Sequence, residues 1–188
     1  MSSRRLRFVL PAMVVLSLFV ASLAVAAGTD HGKKKHGKNV TQFTAKLTGH
    51  NEVPAVHTAG KGQLKLTVND NNTLSYELTY SGLNANALFS HVHFAQPNVN
   101  GAVSFFLCGG GGKPACPAGT SSTASVTGTI TAADAMAVPT QGLAAGDLAA
   151  IVNEIKAGFA YANVHTTQSP GGEIRGQLRG GDREDDDD

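Results

Sequence analysis

Polar and apolar residues alternate with a period of two along much of this chain, and that period predicts strands. Phe43, Ala45 and Leu47 alternate with Thr44 and Lys46, and residues 63–68 repeat the pattern through Leu64, Leu66 and Val68. Successive strand side chains leave opposite faces, so each run has one face for a core and one for the outside. Asn69, Asp70, Asn71 and Asn72 form a turn cluster, and residues 73–80 alternate again beyond it, which makes these runs a hairpin. Further strand-like runs at 87–95, 103–107, 124–131, 158–166 and 173–178 bring the set to about eight. One segment changes period. Leu143, Leu148, Ile151, Val152 and Ile155 recur at helical spacing, with Asp147, Asn153, Glu154 and Lys156 between them and Gly158 as a stop. The spacing predicts one short amphipathic helix over 146–157. Thr131 and Asp134 have capping-box spacing, although Pro139 would soon halt a helix begun there. Short strands, glycine-rich turns and one helix predict an all-β fold, an antiparallel β-sandwich of Greek-key type.

The two ends of the chain do not share this pattern. Arg4, Arg5 and Arg7 precede an apolar run over 8–23, and Ala24, Val25 and Ala26 follow as a small-x-small site, so residues 1–26 read as a secretory signal peptide. An uncleaved anchor is the other reading of the same run; a lipoprotein anchor is not, because no cysteine follows it. Residues 27–39 carry Lys33, Lys34, Lys35 and Lys38 and read as a basic disordered linker, and residues 180–188 as an acidic disordered tail. His31 and His36 in the linker, and the acidic tail, would collect metal ions weakly. Between them, residues 40–179 are the length of one domain. The chain has 15 basic and 14 acidic residues, and losing the three signal arginines leaves a formal −2. That balance excludes a nucleic-acid partner and leaves an extracellular ligand or protein, with no membrane span after cleavage. The expected location is secreted, periplasmic or at the cell surface.

Cys108 and Cys116, joined by the glycine-rich segment 109–115, are the only cysteines. In an exported chain such a pair reads as a disulfide pinning a turn, and its spacing is too wide for a Cys-x-x-Cys redox motif.

The residues with the most chemistry are histidines. His91 and His93 stand two apart in a strand-like run, so both imidazoles leave one face. With Leu88, Val92 and Phe94 assigned to the core, the two rings point outward or into a surface groove. By the same alternation Tyr161, Asn163 and His165 share a face. If the two strands pair, three neutral imidazoles meet, a set suited to Cu²⁺ or Zn²⁺, with Glu173 or Glu52 as the acidic companion. The plainer reading is that the rings hydrogen-bond to neighbouring strands and bind nothing. The register that places His165 beside Glu173 or beside Ile174 is open. Glu173 and Arg175 read either as a surface ion pair or as part of a clamp in which Arg175 holds a carboxylate, Glu52, in bidentate fashion.

In order along the chain, residues 43–49 (Phe-Thr-Ala-Lys-Leu-Thr-Gly), Asn51, Glu52, Val53 and Pro54, then Ser90, His91, Val92 and His93, then residues 160–166 with Asn163 and His165, and finally Pro170 to Leu178 with Glu173 and Arg175 resemble the CHRD domain. That family is named from chordin and is widespread in bacterial exported proteins. The resemblance implies an extracytoplasmic domain without an established bacterial activity. The family's His-x-His is similar to the copper ligands of the Cu/Zn superoxide dismutase sandwich, but this chain lacks a zinc loop with its aspartate. The likeness therefore supports a sandwich and a metal, not the reaction.

Three functions stay open on this basis: a non-enzymatic binding module, a copper- or zinc-binding protein using His91, His93 and His165, and a dismutase-like redox enzyme. No nucleophile, phosphate loop or cofactor motif is present to suggest another catalyst. The N-terminal reading has a direct check. Terminal sequencing of the exported protein should begin near Ala27, and a chain beginning at Met1 or Ser2 would refute cleavage.

Overall fold

The computed structural model describes residues 41–181; the segments read as signal peptide (1–26) and basic linker (27–39), and all but the first two residues of the segment read as acidic tail (180–188), lie outside them. Within that span the strands are β1 (Gln42–Thr48), β2 (Lys61–Val68), β3 (Leu74–Ser81), β4 (Ala87–Phe94), β5 (Ala102–Cys108), β6 (Ala124–Ile130), β7 (Ala160–Thr166), β8 (Ile174–Gln177) and β9 (Arg179–Gly180). One α-helix among the described residues, α1 (Leu148–Ala157), lies between β6 and β7. The period-two runs thus become strands within about two residues of where alternation begins and ends. Only the two-residue β9 lacks a pattern long enough to register, and its Gly180 pairs with Phe43 inside what reads as tail.

All strand pairs are antiparallel, in the order β5-β4-β7-β8-β1-β2-β3-β6. The two faces of the expected sandwich are therefore one continuous hydrogen-bonded sheet that curls until its end strands approach, a nearly closed barrel. Strands β5 and β6 do not pair with each other, and other groups bridge the gap. Tyr76 on β3 donates its hydroxyl to Leu107 O at 2.7 Å, and Met136 N–H donates to Ser104 O at 2.8 Å, so β5 does not present a bare edge. The disulfide Cys108–Cys116 starts a loop from which Lys113 reaches Asp134 at 2.8 Å and Thr129 O on β6 at 2.9 Å.

Inside the curl, Leu47, Leu64, Leu66, Leu78, Val92, Phe105, Leu107, Ile130, Val164 and Ile174 form the core. Helix α1 starts because Asp147 accepts a hydrogen bond from Ala150 N–H at 2.9 Å, and stops at Gly158, whose φ of 86° suits glycine. Its Leu148, Ile151 and Ile155 pack into the same core. The Thr131–Asp134 box is also present, around a single 3-10 turn. One core assignment fails. Leu88 is 40% exposed, because the β4–β7 register shifts between Ala87 and Phe89 and turns it out of the alternation.

The Cys108–Cys116 link should act mainly on the unfolded chain. Closing so short a loop is worth about 2–3 kcal/mol, so the C108S/C116S variant should lose that much in urea unfolding and exchange amides faster over 109–115. Unchanged stability would mean that Lys113 alone holds the loop.

Candidate metal centre

Strand β7 lies between β4 and β8, and its registers place His165 opposite Phe89, Asn163 opposite His91 and Arg175, and Tyr161 opposite His93. From Phe89 onward in β4, and along β7 and β8, odd-numbered residues consequently share the face turned away from the core. His91 lies 4.4 Å from His165 and 4.5 Å from His93, ring centre to ring centre, and one nitrogen of each of the three rings falls within 4.8 Å of the others. The outward orientation read from alternation is right about the side of the sheet and wrong about solvent. His91, His93 and His165 are 4%, 8% and 6% exposed. Loops close over this face: Gly101 and Pro170 each bring a carbonyl to a ring, Phe89 packs on His91 and His165, Phe106 meets His91 edge-on, and Tyr161 stacks on His93.

The hydrogen bonding of these rings does not close by itself. His93 Nδ1 is 2.9 Å from Gly101 O and its Nε2 3.1 Å from Asn163 Oδ1; His165 Nδ1 is 2.9 Å from Pro170 O and its Nε2 2.9 Å from the same Asn163 Oδ1. A neutral imidazole has one N–H, so each ring can donate to only one of its two oxygen neighbours. His91 Nδ1, also buried, has no partner. Protonation is no remedy. Burial, then the neighbouring His93 and His165, pushes His91 down to about 2; burial, with His165 and Arg175, brings His93 to about 4 against the upward pull of Gly101 O and Asn163; burial lowers His165 against Pro170 O. At neutral pH all three rings are uncharged, the form that ligates metals. With Nδ1–H of His93 and His165 donating to backbone carbonyls, both Nε2 lone pairs turn inward, the tautomer in which outer hydrogen bonds hold metal-binding histidines.

The acidic companions take other places. Glu173 is fully buried, but its carboxylate accepts from Thr58 Oγ1 and Asn84 N at 2.7 Å and Thr166 Oγ1 at 2.8 Å, and it is outside the converging group. It precedes β8, so the i, i+2 pairing with Arg175 does not form. Glu52 sits one residue behind the rings, against Asn163 and Gly172. Its Oε1 has no hydrogen-bond partner, and burial pushes its carboxyl up to about 7 against the Arg175 charge, the Val53 N–H and the Asn163 amide.

Arg175 is neither a surface ion pair nor a bidentate clamp on Glu52. It is 2% exposed, lies 3.4 Å above the Tyr161 ring, and donates to Asn100 Oδ1 at 3.0 Å and Val99 O at 2.8 Å. Asn100 donates in turn to Val53 O at 3.0 Å, beside the cis Val53-Pro54 bond, so the early segment is tied to β8 through a loop residue rather than a carboxylate. Asn100, Phe89 and Phe106 went unassigned in the sequence. Phe89 shares the parity of His91, which was signal enough; nothing local marks Asn100 or Phe106.

An antiparallel β-domain carrying a buried triad of neutral histidines is the class that fold and site define. A family model for the CHRD domain matches residues 43–178, nearly the whole described span, and the chain belongs to the CHRD domain family. Comparisons with curated proteins and with solved structures find no match.

Glu52 has a measurable signature in metal-free protein. Its carboxyl titrates at an ordinary 4.5 when unfolded and about 7 when folded, so its contribution is fully present below pH 4.5 and disappears as pH rises through 7. E52Q stays neutral, and should therefore gain on wild type by on the order of 2–3 kcal/mol between pH 4.5 and 8. The histidines are common to both proteins and cancel. A stability difference flat in pH would show that the carboxyl is not held protonated.

Proposed function

We propose that the domain is an extracytoplasmic binding protein for a copper or zinc ion, held by His91, His93 and His165, and not an enzyme. One observation carries this reading: two buried rings have one N–H for two oxygen neighbours each, the third has a buried nitrogen with no partner, and one nitrogen of each ring comes within 4.8 Å of the others. A cation accepting ring lone pairs there would relieve the mismatch at the three histidines. Donors around one tetrahedral ion at about 2.0–2.1 Å lie roughly 3.3 Å apart, and one nitrogen of each ring already lies within 4.8 Å of the others. Three imidazoles suit copper and zinc rather than the oxygen-seeking magnesium or calcium.

Export is supported by the signal-like residues 1–26 and by the disulfide, a bond that persists in oxidising compartments. Among the described residues no helix is long and apolar enough to cross a membrane.

The test is titration with Cu²⁺ and Zn²⁺ of the full chain bearing His31→Ala and His36→Ala, which silences the linker histidines. One ion per chain is expected, with an affinity loss in H91A/H93A beyond the roughly 10–100-fold that follows loss of a hydrogen bond behind a ligand. Equal stoichiometry and affinity in the two proteins would refute the site.

A further inference from the structure

Asn163 occupies an unusual position for a residue with four hydrogen-bonding sites. It is 2% exposed, stands opposite His91 across the β4–β7 pair, and places one oxygen 3.1 Å from His93 Nε2 and 2.9 Å from His165 Nε2. If the ring N–H groups serve Gly101 O and Pro170 O, that oxygen faces two lone pairs with no hydrogen between. Two ring lone pairs and Asn163 Oδ1 then face one another without a hydrogen, and His91, whose buried Nδ1 has no partner, belongs to the same cluster of rings. Separations near 3 Å between acceptors repel across empty space, yet they approach the spacing of about 3.3 Å that donors of one tetrahedral ion adopt.

The amide is held in this orientation from behind. Its Nδ2 faces the Glu52 carboxyl, and both pack against Gly172, where a Cβ would collide with Glu52 Oε1 and crowd Asn163 Nδ2 at 3.0 Å. Gly172, with φ of 127°, leaves the space the pair requires.

We propose that Asn163 Oδ1 is the fourth donor of the histidine site, closing it as a three-nitrogen, one-oxygen set with Glu52 and Gly172 as its supports. The proposal rests on the three-histidine reading and sharpens it. With the fourth position filled by protein, a water or small anion joins only as a weaker fifth ligand, which favours an ion-holding role over catalysis on a bound substrate.

The experiment uses the full chain with His31→Ala and His36→Ala, loaded with one equivalent of Cu²⁺ and titrated with azide, which binds copper only where a position is open. The wild-type visible and EPR spectra should not respond. N163A should acquire an azide-to-copper charge-transfer band and bind copper at least about tenfold more weakly. N163D, of the same shape with an anionic oxygen, should hold Zn²⁺ at least about tenfold more tightly than wild type. Azide binding to wild type as strongly as to N163A, or unchanged zinc affinity in N163D, overturns the fourth donor while leaving the three histidines in place. Copper held no better by wild type than by H91A/H93A overturns both, and is distinguished because the metal itself is then missing.

Discussion

Strand β7 has all seven residues out of solvent, between β4 and β8 in the middle of the sheet. A central strand buried on both faces must supply two different interiors. Its even residues, Ala160, Ala162 and Val164, are small or branched and join the apolar core. Its odd residues, Tyr161, Asn163 and His165, are polar and meet His91, His93 and Arg175 in a second interior beneath the loops. A slip of one residue would exchange the two sets, forcing histidine into the core and alanine into the site, so the registers with β4 and β8 are heavily specified.

The second interior is expensive to form, since burying a polar group without a partner costs about 1–3 kcal/mol. Most of its members are satisfied: Arg175 by Asn100, Val99 and the Tyr161 ring, Glu173 by three donors. The exceptions are His91 Nδ1 and Glu52 Oε1, which have no partner, beside His93 and His165, each with one N–H for two oxygen neighbours. Unsatisfied polar groups clustered in one place, rather than scattered, are the observation on which the proposed cation site rests.

The rest of the fold serves this region by holding loops over it. The segment 96–101 contributes Val99, Asn100 and Gly101, the β7–β8 turn contributes Pro170 and Gly172, and the segment after β1 contributes Glu52 and Val53. Phe106 on β5 packs edge-on to His91, and the same strand leads into the disulfide loop, whose Gly110 and Gly111 lie against the Phe106 ring. Wall, lid and barrel closure are thus mechanically continuous.

Local chemistry was enough to locate the strands, the helix, the disulfide and the shared face of His91 with His93 and of Asn163 with His165, because alternation, caps and turn residues act between near neighbours. It also supplied ordered motifs specific enough to indicate the CHRD family. Alternation says which side of a sheet a residue occupies, however, and not whether anything covers that side. The burial of the histidines, the diversion of Glu173 to Thr58, Asn84 and Thr166, and the route from Arg175 to Val53 through Asn100 all depend on contacts between segments tens of residues apart. Such contacts are set by sheet curl and loop placement, which no short-range pattern encodes. The tertiary structure alone decided that three rings on two paired strands would become a desolvated cluster of imidazoles.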